Sequence, residues 1–178
     1  MHEWTDSDSL RLHMETVAAS MGAYSDRLAP DERDDWLVAG LLHDFDYEKH
    51  PTPEEHPRVG VAELERLGVS EVIRTAIMGH AEYMGVPRES PMAKALFAVD
   101  ELSGFIVACA RVRPEGVATL EPKSVKKKLK DSRFAAAVSR EDIRIGVEEL
   151  GALTGLDQTE HIAVCIAAIR AEAERFGI

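Results

Sequence analysis

The spacing of apolar residues is the feature that most limits what this chain can fold into. Apolar side chains recur every three or four residues, for example at Leu10, Met14, Val17 and Met21, which is the period of an α-helix. We find no convincing alternation of apolar and polar residues of the kind that a half-buried strand requires. The sequence therefore predicts an all-α fold, a single compact bundle of about eight helices.

Helix start and stop signals divide this pattern into segments. The segment from Asp31 to Leu42 is apolar nearly all round, so we expect its helix to be central and buried. Pro51 and Pro53 break the chain after it into a loop. Residues that can cap a helix precede five further segments. These caps are Asp6 or Ser7, Ser70, Ser90, Ser139 with Asp142 as a capping box, and Asp157 with Glu160 as a second capping box.

Length and charge narrow the class of protein. The 178 residues fit one domain, which we divide into a core at about residues 10–112 and a C-terminal helical extension at 113–178. The formal net charge of −11 repels nucleic acid and argues against a dedicated DNA or RNA binder. No apolar run approaches the ~18 residues of a membrane span, and the N-terminus is acidic and polar. We expect a cytoplasmic protein whose two cysteines, Cys109 and Cys165, are reduced core residues. These features leave the oligomeric state open.

A His-Asp pair at the end of the most apolar helix is the strongest local signal. His43 and Asp44 directly follow Leu41 and Leu42. A carboxylate is seldom buried unless it is paired or binds a metal ion, and a neutral imidazole is a natural ligand beside it. The alternative is a helix end that carries these two polar residues out to solvent.

Four more residues could join such a site. Asp100 lies in the middle of an apolar helix, where a carboxylate needs a cation, either a metal ion or an arginine of a neighbouring helix. His13 lies at the edge of the first apolar stripe, His56 just before a helix, and His80 on a buried helix face. Taken singly, each histidine is more often a hydrogen-bonded structural residue.

The order of these residues changes their interpretation. His13, His43-Asp44, His56, His80 and Asp100 follow one another as H…HD…H…H…D, each on or beside a different helix. The pattern resembles the HD superfamily of metal-dependent phosphohydrolases over residues from about 10 to 112. The strings at 40–44 and 99–104, and the lysine-rich segment near residue 125, are similar to a bacterial group of HDIG-like hydrolases.

The resemblance implies a role for each of these residues. His13, His43, Asp44 and Asp100 match the ligands of one metal ion, and His56 and His80 match those of a second ion that Asp44 bridges. Asp44 and His80 become the candidate catalytic residues. Iron or manganese is the first expectation for one or two divalent ions, with zinc, cobalt and nickel as alternatives, because mixed nitrogen and oxygen ligands do not select one metal.

The same resemblance implies the reaction, which is hydrolysis of a nucleotide or another small phosphorylated metabolite by metal-activated water. Phe45-Asp46-Tyr47-Glu48 follows the His-Asp pair where many dinuclear phosphodiesterases have Gly and Lys, which argues against a cyclic dinucleotide substrate. Two alternatives remain. One is a mixed-valence di-iron oxygenase with the same ligands, and the other is a non-catalytic interaction domain stabilised by metal.

A basic segment interrupts the acidic sequence. Lys126, Lys127 and Lys128 are the centre of a cluster of cations at residues 123–133. We interpret these three lysines as candidate phosphate-binding residues at the mouth of the site. The alternative is an ordinary solvated helix face.

Overall fold

The structure is a computed structural model that describes residues 1–178. It confirms the all-α prediction, since it contains nine α-helices, two short 3-10 turns and no strand. The helices are α1 Asp8–Leu28, α2 Arg33–Leu42, α3 Arg58–Arg66, α4 Glu71–His80, α5 Pro91–Arg111, α6 Pro122–Leu129, α7 Arg140–Thr154, α8 Gln158–Ala171 and α9 Ala173–Phe176. None of them combines the length and the hydropathy needed to cross a membrane.

Two long helices, α1 and α5, form the centre of the bundle. Helix α1 packs against α2, α5 and α8, and α5 packs against α4, α7 and α8 as well. One cluster of 32 buried hydrophobic residues extends from Met14 in α1 to Phe176 in α9. The core therefore continues from the N-terminal helices into the C-terminal ones.

Small residues let the central helices approach closely. A Cβ added to Gly40 of α2 would lie 2.7 Å from Cα of Ala18 in α1, and a Cβ added to Gly146 of α7 would lie 2.6 Å from Cα of Ala98 in α5. Real Cβ atoms do not approach backbone this closely. The first contact brings the C-terminal end of α2 beside α1, and the second holds α7 against α5.

The predicted helix caps are present. Ser7, Ser70, Ser90 and Ser139 each accept a backbone N–H of the first turn through the side-chain hydroxyl. Asp157 and Glu160 form a complete capping box at the start of α8. Local side-chain chemistry thus places these helix starts where the sequence predicts them.

Three local predictions are wrong. Helix α2 is not buried all round, because Leu37, Val38 and Leu41 remain half-buried and line an apolar groove beside α1 and α8. Helix α2 packs on α1 through Gly40 and also contacts α4 and α5, while the groove that these three residues share with α1 and α8 stays open. The capping box expected at Ser139 is half formed. The apolar stripe from Ile162 to Phe176 predicts one last helix, but that helix ends at Ala171, and Phe176 lies in the separate short helix α9.

Candidate metal centre

Six histidine and aspartate side chains from five parts of the fold converge where the C-terminal ends of α2 and α4 meet the N-terminal half of α1 and the middle of α5. His13 comes from α1 and His80 is the last residue of α4. The remaining four are His43 and Asp44 just after α2, His56 before α3, and Asp100 in the middle of α5. They form two groups, and within each group the potential ligand atoms all lie within 4.8 Å of one another.

The first group consists of His13, His43 and Asp100. Nε2 of His13 lies 3.2 Å from Nε2 of His43 and 3.0 Å from Oδ1 of Asp100. Nε2 of His43 lies 3.4 Å from the same Asp100 oxygen. The His43 side chain is fully buried, while those of His13 and Asp100 are 22% and 16% exposed and reach the surface of the cavity described below.

The second group consists of Asp44, His56 and His80. Oδ1 of Asp44 lies 3.2 Å from Nε2 of His56 and 3.3 Å from Nε2 of His80. The two Nε2 atoms are 3.3 Å apart. Both histidine side chains are about 5% exposed or less, so this group is more deeply buried than the first.

Asp44 lies between the two groups. While its Oδ1 faces His56 and His80, its Oδ2 lies 3.6 Å from Nε2 of His13 and 3.5 Å from Nε2 of His43. One carboxylate thus presents a different oxygen to each set of donors. This is the geometry of a carboxylate that can bridge two cations.

Hydrogen bonds on the far side of the rings set how three histidines present their nitrogens. Nδ1 of His43 donates to the carbonyl of Gly40 at 2.8 Å, and Nδ1 of His80 donates to the carbonyl of Ile77. A carbonyl oxygen only accepts, so Nδ1 carries the hydrogen and Nε2 of the neutral ring keeps its lone pair. Nδ1 of His56 faces the Asp46 carboxylate in the same way, at 2.8 Å.

These lone pairs make the donor set fit a metal ion. When His56 and His80 are both neutral, their Nε2 atoms, which face each other at 3.3 Å, have no hydrogen to share, so a cation between them removes the repulsion. A ligating histidine that donates its other ring N–H to a carbonyl or carboxylate is the usual arrangement at protein metal sites. The residues present therefore fit divalent transition metals.

The charges in the cluster call for a cation as well. Burial lowers the pKa of His43, but the carboxylates of Asp44 and Asp100 outweigh burial and raise that pKa to about 9. Burial likewise lowers the pKa of His56, while Asp44 and Asp46 raise it to about 9. Protons on the imidazoles thus supply positive charge when no metal is bound, and a divalent ion would displace them.

A cavity of about 310 Å³ opens above the two groups. Its floor is formed by ligand-type residues of both groups, and its walls come from the loop after α2, the turn after α4, and helices α5 and α7. Its twelve lining residues include no lysine or arginine. They are His13, Asp44, Tyr47, His56, His80, Ala81, Glu82, Tyr83, Phe97, Asp100, Glu101 and Asp142.

Sequence reasoning missed Asp46, Tyr83 and Glu101. The Asp46 side chain is 1% exposed and supports His56, although an aspartate in a proline-containing loop is typical of a solvated turn. The Tyr83 hydroxyl donates to the backbone carbonyl of His56 at 3.0 Å. Burial and the neighbouring Asp100 carboxylate raise the pKa of Glu101 to about 7. Only the position of Glu101 beside Asp100 could have signalled any of them.

The three lysines lie elsewhere. Lys126 donates to the hydroxyl of Thr159 and lines a separate cavity with Lys130 and Arg140. The ammonium group of Lys128 lies 3.9 Å from the ring centroid of Phe134, and Lys127 is exposed. None of the three lines the cavity above the histidines, so the hypothesis that they hold a substrate phosphate finds no support in the geometry.

Comparison with known proteins gives one finding. The family model for the HD domain matches residues 11–104, which is more than half of the chain and includes all six converging residues. Neither the curated proteins nor the solved structures contain a match to this sequence.

Proposed function

The chain belongs to the HD-domain family, and from this premise we propose that it is a metal-dependent phosphohydrolase that acts on a nucleotide or another small phosphorylated metabolite. The observation that carries the proposal is the position of Asp44. Its two carboxylate oxygens face two different sets of nitrogen donors, as a bridge between two metal ions requires. A cavity large enough for a small molecule opens directly above it.

In the proposed mechanism the six side chains divide the work of holding the ions. His13, His43 and Asp100 would hold one, and His56 and His80 would hold the other, with Asp44 contacting both. Bound divalent metal supplies a hydroxide nucleophile near neutral pH and neutralises charge on the phosphoryl oxygens. Asp44 would orient that nucleophile toward the cavity.

The contacts of His80 favour a ligand role. Its Nδ1 is committed to the carbonyl of Ile77, and its Nε2 faces Asp44. A ring held in this way has no free nitrogen to give a proton to a leaving group. Of the two candidate catalytic residues, we therefore propose that Asp44 contacts the nucleophile and that His80 acts only as a metal ligand.

The test combines metal analysis with hydrolysis. Purified protein loaded with Mn²⁺ or Fe²⁺ should cleave p-nitrophenyl phosphate or its diester, and His43→Ala and Asp44→Ala should lose most of the bound metal and at least ~100-fold in rate, since metal catalysis contributes several kcal/mol. His50→Ala is the matched control, because His50 pairs with Glu55 outside both groups. Circular dichroism checks that the helical fold survives.

Two results would oppose the proposal. Unchanged metal content in both His43→Ala and Asp44→Ala would remove the metal site. Hydrolysis absent under every metal, together with substrate loss that requires oxygen, would indicate an oxygenase instead.

A further inference from the structure

The charge on the cavity wall does not match a site that recognises phosphate alone. No lysine or arginine lines the cavity. Asp44 and Asp100 belong to the ligand groups, and Glu82 is paired with Arg88 at 2.6 Å. Two further lining residues, Glu101 and Asp142, also carry carboxyl groups.

The start of α7 explains how the Asp142 carboxylate comes to line the cavity. Ser139 caps α7 by accepting the backbone N–H of Asp142 at 3.1 Å. In a complete capping box, Asp142 would accept the backbone N–H of Ser139 in return. Here Oε2 of Glu101 accepts that N–H at 3.1 Å. The Asp142 carboxylate therefore has no partner within the chain, and the same hydrogen bond holds Glu101 beside it.

Size and shape indicate what such a wall could contact. A volume of about 310 Å³ lies at the lower end of the ~300–1,000 Å³ typical of ligand pockets, which favours a small molecule. Tyr47, Tyr83 and Phe97 give the cavity apolar surface suited to a short alkyl chain. A second anionic group on the ligand would meet the wall of Glu101 and Asp142 and be repelled.

We propose that the site takes a small phosphoester that bears an ammonium group, with its phosphate at the candidate metal ligands and its ammonium at Asp142 and Glu101. This inference rests on the proposed function, because it needs the phosphate held at the metal. An ammonium group matches the wall in two ways, since it offsets like-charge repulsion between the carboxylates and offers three N–H donors to their oxygens. Nucleoside diphosphates and triphosphates carry the wrong charge for this wall.

The test compares two ligands of equal length that cannot be hydrolysed. 3-Aminopropylphosphonate and butylphosphonate differ only in an ammonium group in place of a methyl group. Calorimetry on protein loaded with Mn²⁺ should give a Kd about tenfold lower for the amine, the ratio that corresponds to ~1.4 kcal/mol from charge-assisted hydrogen bonds.

Variants locate the preference. Asp142→Asn and Glu101→Gln should each weaken binding of the amine, and together they should reduce the preference to less than about twofold. The Kd of butylphosphonate and the metal content should stay as in the unchanged protein. Glu141→Gln is the matched control, because Glu141 pairs with Arg144 on the same turn of α7 and does not line the cavity.

The possible results distinguish a failure of the ammonium preference from a failure of the phosphohydrolase proposal. Equal Mn²⁺-dependent binding of both phosphonates would overturn the ammonium preference and leave the phosphohydrolase proposal standing. A preference that persists in the double variant would overturn the assignment to Glu101 and Asp142. If neither phosphonate binds more tightly when Mn²⁺ is present, both proposals are overturned.

Discussion

Asp46 offers the sharpest test of how the histidines are held. Its Oδ1 accepts from Nδ1 of His56 at 2.8 Å, and its Oδ2 accepts the backbone N–H of Gly60 at 2.7 Å. Both carboxylate oxygens are therefore acceptors, in a side chain that is 1% exposed. Asp46→Asn keeps the size of the side chain but turns one of these acceptors into an NH₂ donor.

Neither orientation of the asparagine preserves both bonds. If its NH₂ faces Gly60, two donors meet, and a buried unsatisfied N–H costs ~1–3 kcal/mol of the free energy of unfolding. If its NH₂ faces His56, Nδ1 must accept, so the ring hydrogen moves to Nε2. That nitrogen lies 3.2 Å from Asp44 and could then no longer bind a metal ion.

We expect Asp46→Asn to weaken the metal position formed by Asp44, His56 and His80 by about 10–100-fold, the usual effect of removing a partner behind a ligating histidine. This equals ~1.4–2.7 kcal/mol of binding free energy. The ion at His13 and its partners should be retained. Titration of metal-free protein with Mn²⁺ against a competing chelator measures both equivalents.

Glu55→Gln is the control for Asp46→Asn, because Glu55 is a half-exposed carboxylate of the same loop that pairs with His50 rather than His56. It should bind both ions as the unchanged protein does. Two equivalents with unchanged affinity in a folded Asp46→Asn variant would refute the reasoning.

Three further predictions concern other parts of the chain. His56→Ala and His80→Ala should each lose one metal equivalent and keep the other, and unchanged stoichiometry would assign these histidines another role. Alanine at all of Lys126–Lys128 should leave KM for a phosphorylated substrate and its salt dependence unchanged, whereas a raised KM would restore the phosphate-binding hypothesis. Burial lowers the pKa of His161 to about 4, and the unfolded chain titrates near 6.5, so the unfolded state binds the proton more readily. Stability from His161 is then complete above pH 6.5 and falls by about 3 kcal/mol toward pH 4. Glu101, whose pKa is raised to about 7, contributes with the opposite sign over part of this range. The measurement is therefore the difference in unfolding free energy between the metal-free protein and its His161→Asn variant, which should fall by about 3 kcal/mol from pH 6.5 to pH 4.

Structural features that depend only on residues close together in the chain, such as helix starts, could be predicted from the sequence. Ser70 and Ser90 cap helices because their hydroxyls bond to N–H groups three residues away, which depends on no distant part of the fold. The apolar period likewise gives α1 and α5 directly. The prediction that the six histidines and aspartates form one site came from the resemblance to the HD superfamily, because none of these residues taken singly indicates a metal site.

Features that depend on tertiary packing could not be predicted in this way. Asp46 became important because the Gly60 backbone and the His56 ring both come within reach of its side chain. Leu37 and Leu41 are half-buried because the groove that they line beside α1 and α8 is open, which helical periodicity does not report. Asp142 does not complete the capping box because the backbone N–H of Ser139 donates to Glu101, which lies 41 residues before Asp142 in the chain.

The residues that line the cavity come from two parts of the chain, one that holds the candidate metal ligands and one that contributes Asp142 to the wall. The family match ends at residue 104 and includes every candidate metal ligand, while Asp142 is the lining residue that lies beyond it. Helix α7 brings Asp142 to the cavity because Gly146 lets α7 lie directly against Ala98 of α5. A side chain at Gly146 would push α7 away from α5, and with it Asp142, without touching a histidine. If the proposed function holds, the C-terminal helices can therefore alter which substrate binds while the candidate metal ligands stay in place.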